Sequence, residues 1–462
     1  MLLPLKLKPL LYRFRLLKHV SESPLLFYVV TVTGVSNGFV LPFLKNINIE
    51  VTRSVFIVGL GEGLFIIILA TIGIAWGLIF DNVERRNLVM FLAMEGAALF
   101  IFLTSRANSP TGYLVCRLVT GFFVSAVYAF IMSVVTDVYG AGERIYTFLA
   151  VYLLMNFMMG LGSAVALFLA VYINWRKVIF LYSLILGLGA LILLVSKEAP
   201  RGGAERDIIK LKRFGVIRRS IIKYGIGEVK DVFKYRTNIY IILQGFFGCI
   251  PWGAMGLFLI YALMEKTGGT FITIGTLFAL SGIFYPISLI FAPRIDKLRL
   301  HGKYGSLVVI TIAIILTQTL LFVVAMSIPL PKMSAPEGIK SQIMLVLDLI
   351  HNGYIVAMVV VYGGFICVAS FAGPITRNII ADVNEPRRRA TAIMVIRLFE
   401  SMGNAIGIII AGLIIDLNSS FVAPFKYIWI SWIACGLLWI PIMRSYPADS
   451  EKMRLSIVAQ LL

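Results

Sequence analysis

The sequence predicts an all-α polytopic membrane protein: twelve transmembrane helices in two pseudo-symmetric six-helix bundles. Composition, span count and an internal repeat carry this reading. Of 462 residues, 59% are hydrophobic and 14% charged, against roughly 45–50% and about 25% in an ordinary globular chain. A soluble chain of this length divides into about three domains with charged surfaces. There is too little charge here to coat them, and the same numbers exclude intrinsic disorder.

Apolar runs near 20 residues mark the spans, because about 20 helical residues cross a ~30 Å hydrocarbon core. In the first half they fall at 25–44, 55–80, 88–105, 111–135, 145–172 and 176–196. In the second they fall at 238–264, 271–292, 305–328, 354–380, 391–415 and 424–443. The bundles therefore occupy residues 25–196 and 238–443. Residues 1–24 form a basic N-terminal arm, whose charges interrupt the apolar run that a cleaved leader needs. Residues 197–237 form a linker that opens with Ala199-Pro200-Arg201-Gly202-Gly203. Its apolar residues alternate with basic ones at near-helical spacing, as in amphipathic helices lying on a membrane face. The alternative for the linker is a partly ordered charged loop. Residues 444–462 are expected to form a tail.

The net charge of +19 invites a nucleic-acid reading. Sorting the charge by loop removes it. An even span count puts both termini on one side. That side holds 30 of the 42 Lys and Arg residues, 12 of them in the linker, and the opposite side holds nine. The excess marks the cytoplasmic face. Both termini are therefore expected in the cytoplasm, and the chain in the plasma membrane. The four cysteines lie singly in apolar runs and the three histidines are scattered. Neither set has metal-site spacing, so no metal or cofactor is expected.

The two halves repeat. Thr136-Asp137-Val138 reaches Arg144, and Ala381-Asp382-Val383 reaches Arg389, at an offset of 245 residues. The same offset places Gly162 on Gly407, while Asp81 matches Asp296 at an offset of 215. Parallel repeats of this kind are built around an axis along the membrane normal and belong to transporters.

The segment Gly77-Leu78-Ile79-Phe80-Asp81-Asn82-Val83-Glu84-Arg85-Arg86 resembles the loop signature G-x-x-x-D-(R/K)-x-G-R-(R/K) of the major facilitator superfamily. Asn82 and Glu84 depart from it. A more degraded second copy runs from Ala292 through Asp296 and Lys297. Arg117-Leu118-Val119-Thr120-Gly121 resembles the R-x-x-x-G element of the fourth span, and Asn174-Trp175-Arg176 is also similar to the superfamily. The resemblance covers nearly the whole chain. It implies that Asp81, Arg85 and Arg86 latch the two halves on the cytoplasmic side in the outward-facing state, with Asp137/Arg144 and Asp382/Arg389 as companion networks. The residues alone also allow a plainer reading. Asp81 caps a helix start, and the arginines, Arg387 and Arg388 among them, set topology.

Ionisable groups within spans are costly and usually functional. Glu62 and Arg117 lie at matching depths in spans 2 and 4. They are expected to pair or to line a cavity together, the alternative being a static buried pair. A carboxylate that can exchange its arginine partner for a proton is a coupling device. Arg397 and Glu400 share a face of span 11 at i, i+3, either as an intrahelical pair or with one facing substrate. Glu95 is expected to have a structural partner, and Arg377 to snorkel. Gly160 and Gly162 in span 5, and Gly403, Gly407 and Gly412 in span 11, suit close helix approach. Gly34, Asn37, Gly38 and Pro42 are expected to break span 1. Pro251, among Gly245, Gly248, Gly253 and Gly256, is expected to break span 7. Paired interruptions point to a binding and gating region, so Asn37 joins the cavity candidates. Phe246, Phe247, Trp252 and Tyr261 are candidates for an aromatic lining, with core or lipid-facing packing as the alternative.

The segment from Gly373-Pro374 to Asp416 is similar to spinster-type members, which would imply amphipathic substrates. Val35-Ser36-Asn37-Gly38 lacks the acidic-basic pair expected in span 1 of that group. The drug/proton antiporters are also similar, but span 5 lacks their Gly-Pro motif. The expected function is secondary active transport of a small amphipathic or anionic organic solute, coupled to protons, by a monomer in the lipid bilayer. The alternatives are a uniporter and a non-transporting receptor or anchor on the same fold. An enzyme is not expected, since HExxH and P-loop motifs are absent.

Overall fold

The computed structural model describes residues 24–37, 40–138, 141–170, 172–198, 230, 232–282, 284, 304–333, 351–384 and 389–461. Among them, every regular element is helical. The chain forms two compact units, Met1–Ile222 and Lys223–Leu462. The basic arm and most of the linker, with its expected amphipathic helices, lie outside the described residues.

The first unit contains α1 (Pro24–Asn37), α2 (Val40–Ile47), a π-helical turn (Asn48–Thr52), α3 (Val55–Asn82) and α4 (Arg86–Arg106). It continues with α5 (Pro110–Val138), α6 (Ala141–Ala170), α7 (Trp175–Ala190) and the short α8 (Ile192–Val195). The second unit contains α9 (Arg236–Thr267), α10 (Phe271–Gly282), α11 (Tyr304–Ser327), α12 (Gly353–Ala369) and α13 (Ala372–Val383). It ends with α14 (Arg389–Asn418), a 3-10 turn (Ala423–Lys426) and α15 (Ile430–Leu461). Seven helices are long and apolar enough to cross a membrane, and shorter apolar helices lie at Phe157–Ala170, Thr273–Gly282 and Gly353–Ala369. The described helices are consistent with the twelve-span reading.

Helix starts and ends follow local chemistry. The Ser54 hydroxyl accepts from the Ile57 N–H at 3.2 Å and opens α3. Asn174 opens α7 by accepting from the Arg176 N–H at 2.9 Å. Gly268, at φ +74°, closes α9 in the left-handed region that L side chains avoid.

Two expectations change. Span 7 is not broken: Pro251 lies inside the continuous 32-residue α9. Proline takes away the N–H that would serve the carbonyl four residues earlier, here that of Phe247. The Ser431 hydroxyl donates to that oxygen at 2.5 Å, and the Trp432 indole N–H donates to the next carbonyl, Gly248, at 3.0 Å. A neighbouring helix thus satisfies the freed backbone, which is how a membrane helix keeps an internal proline. Span 10 is the broken one. It ends as α12 at Ala369 and restarts as α13 at Ala372, with Pro374 in the new first turn, where its missing N–H has no helical partner to lose. Beyond residue 443, α15 continues as helix to Leu461.

Small residues set the closest packing. A Cβ placed on Gly403 or Gly407 of α14 would overlap the carbonyl oxygens of Phe246 and Ile250 on α9, and one on Gly253 would overlap the carbonyl of Asn404. The two backbones therefore lie directly against each other. In the first unit α1 approaches α6 at Gly34, where a Cβ would stand 2.8 Å from Met158 Cβ. Gly160 faces open space and carries no such contact. Tyr261 belongs to core packing, stacked on Phe421 at 5.5 Å.

Two predictions follow from this packing. Gly407→Val should cost about 3 kcal/mol or more and lower the melting temperature in detergent, whereas Gly256→Ala, which faces open space, should leave it unchanged or slightly raised. Ser431→Ala should cost about 1 kcal/mol in the same assay, and replacing Pro251 by Ala in that background should recover it, because the Phe247 carbonyl regains a backbone donor.

Candidate functional site

In the first unit, α3 and α5 bring together the two charged residues that the sequence places at matching depth. Arg117 forms a fork with Glu62, Nε donating to Oε1 at 2.5 Å and Nη2 to Oε2 at 2.7 Å. The Tyr113 hydroxyl donates to Oε1 at 3.1 Å. The Phe65 ring covers the guanidinium with its centroid 3.9 Å from Cζ, a cation–π contact strengthened by desolvation. The site is closed: Glu62 is 7% and Arg117 5% exposed. Glycines make room for it. A Cβ on Gly61 would crowd the Tyr113 ring, and one on Gly121 would stand 2.9 Å from the Phe65 ring. The R-x-x-x-G element therefore has a physical basis: Arg117 binds the carboxylate and Gly121, one turn on, admits the ring that covers the arginine. Tyr113 and Phe65 are members that the sequence reading missed. Both lie one turn from a charged partner, and that spacing was the available signal. The Asn37 side chain lies outside the described residues.

The second unit holds a looser charged group. Arg397 Nη1 meets Glu400 Oε2 at 3.4 Å within α14, and the Arg397 side chain is 52% exposed. Both residues line an open cavity of about 220 Å³, joined there by Arg377, Trp252, Gln318 and Cys249. Gly245 on α9 leaves space for the Glu400 stem, a Cβ there standing 3.2 Å from Cγ. The α12–α13 break borders the same cavity through Ala369, Ala372 and Gly373. Trp252 stacks on Phe365 at 5.3 Å, so its ring is both packed and cavity-facing.

The loop-motif residues divide. Arg86 is 2% exposed and donates to Asp137 at 2.6 Å and to the Ser133 hydroxyl at 2.7 Å. The sequence placed Arg86 and Asp137 in separate networks; they form one pair, within one unit, that ties the start of α4 to the end of α5. Beside it, the Asn87 N–H donates to Glu198 at 2.8 Å, which anchors the segment after α8. Arg85 is exposed, and Gly77 faces open space. In the second unit Asp382 accepts from the Tyr446 hydroxyl at 2.7 Å. Close by, Asn238 and Asn384 exchange amide hydrogen bonds at 2.8 and 2.9 Å. Asp449 accepts from the Thr237 N–H at 2.8 Å at the start of α9. The side chains of Asp81, Arg144 and Arg389 lie outside the described residues, as do Asp296 and Lys297 altogether. Glu95 faces Gly187 on α7, where a Cβ would stand 3.2 Å from its carboxylate.

The closed pair yields a prediction. Removing one partner of a buried ion pair strands the other in low dielectric and costs about 3–5 kcal/mol. Arg117→Ala should therefore destabilise strongly, whereas Glu62→Leu combined with Arg117→Met should recover most of the loss, read as melting temperatures of the purified protein.

The sequence matches the Major Facilitator Superfamily over residues 26–335. No curated protein matches it by sequence. Solved structures share the fold. A bacterial homologue of the human lysosomal transporter Spinster, inward-facing and unoccupied, superimposes with a TM-score of 0.62 at 16% identity, covering 94% of this chain and 97% of the other. The nucleoside transporter NupG gives 0.61 at 14% identity, over 91% and 98%. A D-xylose-proton symporter gives 0.61 at 12% identity, over 93% and 98%. At these identities the likeness carries the fold alone. The family match covers well over half of the residues, and the chain belongs to the major facilitator superfamily.

Proposed function

We propose that this chain is a secondary active transporter that moves a small amphipathic or anionic organic solute by alternating access, coupled to protons. Both termini face the cytoplasm, in the plasma membrane, and the chain acts as a monomer. The observation that carries the reading is the Glu62–Arg117 fork, buried between two apolar helices. A neutral pair of this kind holds together only while both charges are present. Protonating Glu62 turns an ion-pair acceptor into a neutral acid, leaves Arg117 seeking an anion, and so links a proton to a rearrangement of α3 against α5. Similar folds support a small organic solute as cargo, since they include a nucleoside transporter and a sugar–proton symporter.

The test uses purified protein in liposomes. A thermal-shift screen supplies a ligand, and its uptake is measured with and without an inward proton gradient. Wild type should accumulate it only with the gradient. Glu62→Gln should lose at least about tenfold of gradient-driven uptake while still exchanging ligand at equilibrium. Unchanged proton dependence in Glu62→Gln removes the residue from coupling. Ligand binding without flux in every condition returns the chain to the receptor reading.

A further inference from the structure

We infer that the cavity within the second unit binds a small amphipathic zwitterion, its anionic group on Arg397 and its ammonium on Glu400, with the two charges close together as in an apolar α-amino acid. As the chemistry of the cargo this rests on the transporter reading; as a binding site it stands on residues of the second unit alone.

The state of the two charges is the first argument. Arg397 and Glu400 of α14 both line the cavity, and a single contact of 3.4 Å joins them. That is beyond the 2.7–2.9 Å of a good charge-assisted bond. The Glu62–Arg117 fork of the first unit has two contacts, at 2.5 and 2.7 Å, and is closed off. The Arg397 side chain is instead 52% exposed. Its one contact leaves most of the guanidinium N–H groups, and Oε1 of Glu400, without a hydrogen bond to any described residue. Arg377 also lines the cavity but already has a partner of its own, so the ligand's charges are assigned to the α14 pair.

The signs of that pair select the ligand. A monoanion drawn to Arg397 meets the Glu400 carboxylate beside it, and a monocation drawn to Glu400 meets the guanidinium. At contact range this repulsion offsets much of either attraction. A zwitterion presents each head with the opposite charge and brings no net charge into the span, where an added charge is costly. The two heads are in contact, so a ligand reaches both only if its own charges are adjacent. The planar guanidinium suits a carboxylate, which it can bind by two parallel N–H bonds.

The walls set the size and polarity of the rest. The cavity holds about 220 Å³, below the roughly 300–1,000 Å³ of pockets for drug-sized molecules. Away from the pair, Trp252, Ile315 and Ile393 make an apolar wall, and Trp252 is held in place by its stack on Phe365 at 5.3 Å. Gln244 belongs to the wall, since it donates to the Ile241 carbonyl and accepts from Cys435 and Trp439. A short apolar body beside a compact charged head fits this space.

The experiment measures binding apart from flux, so that the site and the transport reading fail separately. Binding of radiolabelled L-leucine to the full chain is measured in detergent by scintillation proximity. The competitors are 4-methylpentanoate, which lacks the ammonium, 3-methylbutylamine, which lacks the carboxylate, and 6-aminohexanoate, whose charges lie far apart. Wild type should bind L-leucine saturably, and each competitor should displace it at least about tenfold less well than unlabelled leucine does. Arg397→Gln should weaken leucine at least about tenfold while leaving 3-methylbutylamine as good or better. Glu400→Gln should weaken leucine similarly and improve 4-methylpentanoate. This reversal of preference is a readout that mere destabilisation does not produce, and the comparison of competitors needs no variant. Repeating the assay in phosphatidylglycerol nanodiscs with or without phosphatidylethanolamine distinguishes two sources of the same chemistry. Leucine binding suppressed by phosphatidylethanolamine assigns the site to a zwitterionic headgroup, and unchanged binding assigns it to a free zwitterion. Leucine binding without uptake into liposomes keeps the site and removes the transport reading. Absence of leucine binding in detergent and in both nanodiscs overturns the proposal. So does displacement by the acid or the amine as readily as by leucine, or wild-type leucine affinity in either variant.

Discussion

In hydrocarbon no water is present to satisfy a peptide group, so each polar atom must find its partner in the protein. The rest of this structure depends on that constraint. The carbonyl orphaned by Pro251 is taken by Ser431 from a neighbouring helix. The last carbonyls of α4, at Ser105 and Ala107, are held by Arg176 at 3.0 and 2.8 Å. The last carbonyls around the end of α11, at Met326 and Ile328, are held by Lys266, each at 2.7 Å. The two helix ends occupy equivalent places in the repeat and receive the same service, a basic side chain at the negative end of a helix, from different elements.

The same constraint explains why charged residues within the spans behave so differently. Glu62 and Arg117 satisfy one another and are then closed off by Tyr113 and Phe65. The result is neutral and compact, and it can stay buried without water. Arg397 and Glu400 share one helix, and i, i+3 geometry holds them near each other without aligning a fork. This pair lines an open cavity. Burial of charge in one unit and exposure of charge in the other follow from whether the partners come from two helices or one.

The repeat is visible in packing as well as in sequence. In the second unit α9 and α14 touch backbone to backbone through Gly253, Gly403 and Gly407, and in the first unit α1 and α6 approach at Gly34. These are equivalent pairs of spans. Acidic residues at matching places in the repeat each accept a hydrogen bond. Asp137 takes an arginine from the start of α4, and Asp382 takes a tyrosine from α15.

The sequence by itself determined the membrane class, the parallel repeat, the family and the depth of the charges along each span. All are one-dimensional properties, set by apolar run length, loop charge and spacing. It also identified Glu62, Arg117, Arg397, Glu400 and the glycines of span 11, because an ionisable or small residue in an apolar run stands out at once. Tertiary structure alone decided the rest. Pro251 reads as a break, yet the helix continues because Ser431 from another element replaces the lost hydrogen bond. Span 10 reads as continuous and is broken beside a cavity. Gln318 carries no signal in an apolar run with a second glutamine nearby in space, and only its place on the cavity wall gives it meaning. Whether a polar group is satisfied depends on atoms distant in the chain, and no local pattern records that.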